Sequence, residues 1–202
     1  MNRRLQRDPR FFADLARCIF QGEEESAEQS ESQPVNELES RRANLAWKLL
    51  SRWRLPPGVR EDHSLDGAAL SDWFRTARAA CAERKIREVG DIEIGKILAW
   101  VPAGEDQVWP PRDLRSLIEE ADSEALESGI HTGRINMRGT HAYSPFEGGR
   151  AEREFVKQYR GWEKAVSTRS PRTRRVLHNI AETYESMAKQ HDISSDALEV
   201  RR

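Results

Sequence analysis

Apolar residues recur every three or four positions along most of this chain, the spacing that places them on one face of an α-helix. The pattern covers seven stretches, at about residues 8–20, 36–55, 66–87, 91–101, 112–128, 150–168 and 170–192. Alternating runs typical of strands are scarce, and residues 130–137 are the one weak candidate. We therefore predict an all-α protein, an irregular bundle of about seven helices with one long glycine-rich loop.

Local signals set the predicted helix boundaries. Asp8-Pro9 and Ser170-Pro171 each combine a capping side chain with a proline at the first helical position. Asp91 is the predicted N-cap of the short fourth helix. After Trp109-Pro110-Pro111 we expect a helix that is re-capped at Ser123 and ends at Gly129.

The charges are sorted along the chain and divide it into regions. Residues 21–40 hold seven acidic residues and no basic one, with serines in place of apolar residues. Such a segment buries too little to offset its ordering entropy, so we predict a flexible acidic linker at 21–35. It separates an N-terminal helix at 1–20 from a helical domain at 36–192, and a frayed tail follows at 193–202.

Composition narrows the class of protein. Of the 202 residues, 33% are charged and 37% hydrophobic, and there is no apolar run of membrane-spanning length or signal-like start. We expect a cytoplasmic protein without a membrane partner. Cys18 and Cys81 fall within apolar helical patterns, which favours buried reduced thiols over a disulfide or a metal site.

The most unusual segment lies between residues 129 and 149, where glycines accompany polar and basic side chains. We predict a loop that holds an anion or a partner peptide; the alternative is a packed surface loop. The candidate binding residues are Arg134, Asn136, Arg138, His141, Tyr143, Gly148, Gly149 and Arg150. If Arg134 and Arg138 serve binding, replacing both by alanine should leave thermal stability nearly unchanged.

Six tryptophans are many for a chain of this size. Five of them fall on or beside apolar helical faces, which predicts a role in the core: Trp47, Trp53, Trp73, Trp100 and Trp162. Trp109 is held between Val108 and two prolines, so it is a candidate partner anchor or a staple for the entry of a helix.

From Gly129 onward, fourteen basic residues face nine acidic ones. Arginines surround the start of the last predicted helix, and they are the candidate nucleic-acid contacts: Arg169, Arg172, Arg174 and Arg175. The competing explanation is ion pairing with Glu147, Glu152, Glu154 and the acidic linker, and we favour it.

Catalytic signatures are absent from the sequence. The five histidines have no metal-ligand spacing, and there is no nucleophile elbow, phosphate loop or dinucleotide fingerprint. We expect no metal and no cofactor. An enzyme with a small-ligand pocket near residues 129–149 stays as a third alternative.

Several short motifs resemble a conserved region at the C-terminal end of large uncharacterised bacterial proteins. The motifs are Glu88-Val89-Gly90-Asp91 with Ile94-Gly95-Lys96-Ile97-Leu98, Trp109-Pro110 ahead of residues 115–120, Glu147-Gly148-Gly149 before Glu152-Arg153-Glu154, and Pro171-Arg172-Thr173 leading to residues 180–185. The resemblance covers about residues 5–192 and implies a link of some members to bacterial defence systems. This chain departs from the pattern by lacking a large N-terminal region.

We therefore predict a non-enzymatic helical protein-interaction module of a larger bacterial protein or complex. Its partner is a protein or other domains of a larger chain, contacted through the glycine-rich segment and the tryptophan-proline turn. The alternative is a nucleic-acid-contacting accessory module that uses the C-terminal arginines.

Overall fold

The computed structural model describes residues 2–28, 37–137 and 148–199, and these contain α-helices and no strand. The all-α prediction is confirmed, with nine helices in the described residues. They are α1 (Asn2–Arg7), α2 (Pro9–Glu28), α3 (Glu37–Ser51), α4 (Gly67–Glu83), α5 (Arg87–Leu98), α6 (Arg112–Ala121), α7 (Glu124–Met137), α8 (Arg150–Ala165) and α9 (Pro171–Glu199). None of them is long and apolar enough to cross a membrane.

Side-chain caps fix several helix starts, as the sequence predicts. Asp8 accepts a hydrogen bond from the Phe11 amide at 2.9 Å, directly before α2 begins at Pro9. At the start of α7, the Ser123 hydroxyl accepts from the Leu126 amide at 3.2 Å. Each cap gives an oxygen to an amide that has no partner within its own helix.

Two helices extend beyond their predicted ends. The backbone of α2 is helical to Glu28, past the expected end near Phe20, and α9 continues to Glu199, past Asp192. The predicted boundary at residue 20 is therefore wrong, because residues 21–28 of the predicted linker are helical, and residues 29–35 lie outside the described residues. Glutamate is a good helix former, so an acidic segment can extend an established helix.

Asp91 is not the cap that its sequence position suggests. It lies inside α5, is 2% exposed, and accepts hydrogen bonds at 2.8 and 2.9 Å from the Arg78 guanidinium of α4. Arg78 also donates to the Ala121 carbonyl at the end of α6. Because a buried carboxylate needs a paired cation, this contact fixes α4, α5 and α6 together.

Residues 129–137 belong to α7, so the prediction of a glycine-rich loop is wrong there. The glycines instead allow close contact between α7 and α5. A Cβ at Gly129 would lie 2.2 Å from the Ile92 carbonyl oxygen, and one at Gly133 would lie 2.6 Å from the Ala99 Cβ. From α5, a Cβ at Gly95 would lie 2.4 Å from the Leu126 carbonyl oxygen. The backbones of the two helices touch where side chains would separate them.

Two aromatic clusters mark the core. In the first, Phe12, Trp53 and Trp73 meet with ring centroids 5.3 to 6.0 Å apart. In the second, Tyr159 packs edge-on against both Trp109 and Trp162. The first cluster joins α2, the turn after α3 and α4, and its Phe12 and Trp53 line the cleft described below.

Candidate functional site

Trp109 is a core residue and not a surface anchor. It is 1% exposed, and its indole N–H donates to the Val101 carbonyl at 3.0 Å. Its ring packs against Tyr159 and Trp162, with centroids 6.4 and 6.2 Å away. The interpretation of Trp109 as a partner anchor is therefore wrong, because a partner cannot reach the ring.

Arg134 points into the same cluster. Its guanidinium lies 4.2 Å from the Trp109 ring centroid, donates to the Tyr159 hydroxyl at 2.7 Å and donates to the Ala99 carbonyl at 3.1 Å. Burial raises the pKa of Tyr159, and the adjacent charge of Arg134 opposes that rise. The guanidinium thus holds α7 to α8 and to the end of α5, and the prediction of a partner-facing Arg134 is corrected.

The other candidates from the glycine-rich segment are dispersed. Asn136 is exposed near the end of α7. Arg138, His141 and Tyr143 lie outside the described residues. Of these four candidates, the structure describes only Asn136, and it places Asn136 at the surface.

Gly148 and Gly149 contact their own chain rather than an external anion. Gly148 has φ +55 and donates its amide to the Ser195 hydroxyl at 3.2 Å, and the Gly149 amide donates to Asp192 at 2.9 Å. A carboxylate of α9 thus occupies the start of α8, so the anion-site prediction for these glycines is wrong. Arg150, the first residue of α8, is exposed.

The C-terminal arginines are partly neutralised. Arg172 and Arg175 both pair with Glu127, which is 8% exposed, and Arg172 also pairs with Asp122. The predicted ion pairing exists for these two arginines, with acids of α7 and of the turn before it instead of the acids expected from the sequence. Glu119 accepts the Thr173 amide at 2.8 Å, so a side chain of α6 caps α9.

Arg169 and Arg174 have no ion pair within the described residues. Arg169 is exposed in the turn before α9, and Arg174 is half-buried in its first turn. Of the predicted patch of four, these two guanidinium groups have no carboxylate partner in the part of the chain that the structure describes.

An aromatic cleft lies between α2, α3, α5 and α7, with a volume of about 260 Å³. We call it the α3 cleft and define it by eight of its lining residues: Phe12, Trp47, Trp53, Arg54, Glu93, Lys96, Trp100 and Asn136. The volume is below the roughly 300–1,000 Å³ typical of pockets that enclose a small-molecule ligand. It suits one or two side chains of a partner.

α3 exposes more large apolar surface than any other described helix. Four large apolar side chains are exposed in the described residues, and three lie on α3: Leu38, Leu45 and Trp47. Leu45 is 61% exposed and Trp47 58%, whereas Ala46 and Leu50 of the same helix are buried. Of the three exposed side chains, Trp47 lines the cleft, and Leu38 and Leu45 are not among its lining residues.

Charged side chains frame the cleft. The Arg54 guanidinium lies 4.7 Å from the Trp100 ring centroid and donates to the Ser51 and Trp53 carbonyls. Lys96 donates to Glu93 at 2.6 Å. Glu93 is therefore neutralised inside the cleft, while Arg54 binds an aromatic face and carbonyls but no carboxylate of the described residues.

Trp53 leaves a buried donor unsatisfied. It is 2% exposed, and its indole N–H has no acceptor among the described residues. The neighbouring Trp73 is 4% exposed, and its indole N–H donates to the Leu5 carbonyl at 2.9 Å. A buried N–H without an acceptor destabilises the folded state by about 1–3 kcal/mol, so the indole N–H of Trp53 is an unsatisfied donor that an added acceptor would stabilise.

The sequence prediction placed Trp47 in the core, and the structure corrects it. Both Trp47 and Trp53 lie close to the apolar pattern of α3, and Trp53 is covered because its ring packs against Phe12 of α2 and Trp73 of α4. One sequence signal could have found the site, because residues 40–54 contain five basic residues and no acidic one.

Other titratable groups have structural partners. His131 of α7 lies 2.8 Å from the Thr183 hydroxyl of α9, and burial lowers its pKa. Burial raises the pKa of the Cys81 thiol to about 11, and both cysteines are free. Within the described ranges, no group of three or more histidine, cysteine or acidic side chains could hold a metal ion.

Comparisons with protein-family models, with curated proteins and with solved structures found no match to this chain. The resemblance to C-terminal regions of large bacterial proteins is therefore still a prediction from the motifs alone.

Proposed function

We propose that this protein is a non-enzymatic protein-interaction module and that its partner binds in the α3 cleft. The observation that carries the proposal is the 58% exposure of Trp47, which lines an aromatic cleft together with Trp53 and Trp100. Tryptophan and arginine are the residue types that dominate the energetics of protein interfaces, above all where a pocket excludes water around them.

The site differs from the one expected from the sequence. Trp109 is buried and residues 129–137 are helical, so neither the tryptophan-proline turn nor that part of the glycine-rich segment supports partner binding. The enzyme alternative, a small-ligand pocket near residues 129–149, has less support, because the cleft that Asn136 lines has a volume of about 260 Å³. Asn136 is the one former candidate that lines the α3 cleft.

The nucleic-acid alternative has less support than the interaction proposal. Glu127 and Asp122 neutralise Arg172 and Arg175, which lowers the charge that a phosphate backbone would meet. The association with larger bacterial proteins, including those linked to defence, depends on the sequence resemblance and stays a prediction.

A peptide selection tests the proposal without a known partner. A random library of displayed peptides is selected on the immobilised full chain and counter-selected on Trp47→Ala. We expect peptides that bind the wild-type chain and lose about tenfold or more in affinity on Trp47→Ala, because an exposed hot-spot ring contributes about 2 kcal/mol. Ile193→Ala is the matched control, since Ile193 is 69% exposed on α9, and it should retain binding.

Selected peptides that bind Trp47→Ala as tightly as the wild-type chain would contradict the proposal. An absence of enriched peptides would contradict it too. Thermal melts of both variants should stay close to that of the wild type, because exposed substitutions usually change stability by less than about 0.5 kcal/mol.

A further inference from the structure

Resting on the proposed function, we infer that the partner segment is acidic and inserts a large apolar side chain into the α3 cleft. The class of ligand is thus an acidic protein segment, rather than a basic peptide, a lipid surface or a nucleic acid. The inference depends on basic residues that have no ion pair within the described part of the chain and that are sequence neighbours of the cleft residues Trp47 and Trp53.

From Ser40 onward, the charged residues of α3 and of the turn after it are all basic. Residues 40–54 hold five basic residues and no acidic one. Arg42, Lys48 and Arg52 are exposed, and no ion pair joins them to an acid within the described residues. Arg41 pairs with Glu37 at 3.3 Å, but both side chains are more than two-thirds exposed, so the pair contributes little.

Elsewhere in the molecule, several arginines are paired with carboxylates. Arg75 pairs with Glu120 at 2.7 Å, Arg84 with Asp14 at 2.6 Å, and Arg78 with buried Asp91. Arg42, Lys48 and Arg52 have no such pair within the described residues, and Lys48 and Arg52 are the sequence neighbours of Trp47 and Trp53, which line the cleft. Like charges on one face repel each other, and an acidic partner would relieve that repulsion.

The cleft itself requires an apolar group. Phe12 and Trp53 are 1% and 2% exposed, so they form a floor that water barely reaches, while Trp47 and Trp100 form the walls. A leucine, phenylalanine or methionine of the partner would fill this space. An oxygen of the partner that reached the Trp53 indole N–H would also supply the acceptor that the described residues lack.

The shape favours a protein segment over the other anionic surfaces. A bilayer is wider than the cleft and would leave Phe12 and Trp53 uncovered, because these rings lie at the floor of a concavity. A duplex would contact the basic residues but would leave the apolar cleft facing water. A peptide can supply carboxylates to the basic residues and an apolar side chain to the cleft at the same time.

Two measurements test the inference. The first is the composition of the peptides whose binding depends on Trp47, which should be enriched in Asp and Glu around one large apolar residue. The second uses a synthetic probe of about twelve residues that alternates Glu with Leu and Phe, and a matched probe with Lys in place of Glu. Binding of each labelled probe to the full chain is followed by fluorescence anisotropy.

The acidic probe should bind, and its affinity should fall about tenfold between about 50 and about 200 mM NaCl, whereas the Lys probe should not bind. The triple variant Arg42→Glu, Lys48→Glu, Arg52→Glu should weaken the acidic probe by about tenfold or more. Its matched control is Arg150→Glu, Arg169→Glu, Arg174→Glu. Both variants change the net charge equally, so a difference between them isolates the location of the charge.

The outcomes separate the inference from the proposed function. Trp47-dependent peptides that are neutral or basic would overturn the inference and leave the interaction proposal standing. An absence of Trp47-dependent peptides would remove both. The same binding assay is repeated with phosphatidylserine vesicles and with a DNA duplex. If either one binds the wild-type chain but not the α3 triple variant, and no acidic peptide binds, the inference is overturned and the surface is assigned to that ligand.

Discussion

Arg134→Ala separates a structural role from a binding role at a position where sequence and structure disagree. In the folded chain the Arg134 guanidinium stacks on Trp109 at 4.2 Å and donates to the Tyr159 hydroxyl and the Ala99 carbonyl. Truncation removes two charge-assisted hydrogen bonds, each of about 1.5–3 kcal/mol, and leaves both acceptors without this donor. It also removes a cation–π contact of about 1–2 kcal/mol.

These contributions overlap and are offset by the release of a partly buried charge, so we expect a net loss of about 3 kcal/mol. At about 2–4 °C per kcal/mol for a chain of this size, the melting temperature should fall by about 6–12 °C. Arg134→Lys should give an intermediate fall, because an ammonium cannot reproduce the planar guanidinium contacts.

The assay is thermal unfolding followed by circular dichroism, with urea denaturation as a second measure of the free energy of unfolding. Arg150→Ala is the matched control, since Arg150 is exposed on the adjacent helix, and it should melt close to the wild type. A melting temperature for Arg134→Ala within about 2 °C of the wild type would refute the structural assignment and restore the arginine as a binding candidate.

The remaining predictions concern packing, reactivity and pH. Gly129→Ala should lower the free energy of unfolding in urea by about 2 kcal/mol or more, because its Cβ would meet the backbone of α5. The control Gly161→Ala, which has no neighbour within 4 Å, should raise that free energy by about 0.5–1 kcal/mol. Equal effects of the two substitutions would contradict the contact between α5 and α7. Iodoacetamide at about pH 8 should modify half-buried Cys18 and spare Cys81, because burial raises the pKa of the Cys81 thiol to about 11. Mass spectrometry locates the label, and labelled Cys81 in the folded chain would contradict its burial. His131 has a folded pKa below its unfolded value, so the unfolded chain binds the extra proton first and stability should fall as pH drops below about 6.5. His131→Gln should flatten that part of the stability profile, and an unchanged acid slope would show that other groups cause it.

Local signals in the sequence predicted the helices better than their packing. Asp8, Asp66 and Ser123 act on amides three residues away, so their caps can be expected without knowledge of the fold. Glycine is different, because its role depends on what lies opposite. Gly129 suggests a loop by composition, and only the backbone of Ile92 on another helix explains why a helix carries it there.

The candidate site shows the same limit. Trp47 and Trp53 are six positions apart, and the sequence assigns both to the core, yet one is 58% exposed and the other 2%. The packing of the Trp53 ring against Phe12 of α2 and Trp73 of α4 decides between them. Trp109 and Arg134 were candidates because their neighbours are unusual, and the structure shows that this local chemistry stabilises the second aromatic cluster.

The six indole N–H signals of the ¹⁵N-labelled chain test the central claim most directly. Single Trp→Phe variants assign the signals, and a selected peptide is then titrated into the full chain. We predict that the signals of Trp47, Trp53 and Trp100 shift together with one affinity, while those of Trp73, Trp109 and Trp162 stay in place. Shifts confined to the second group, or no shift at saturating peptide, would contradict partner binding in the α3 cleft.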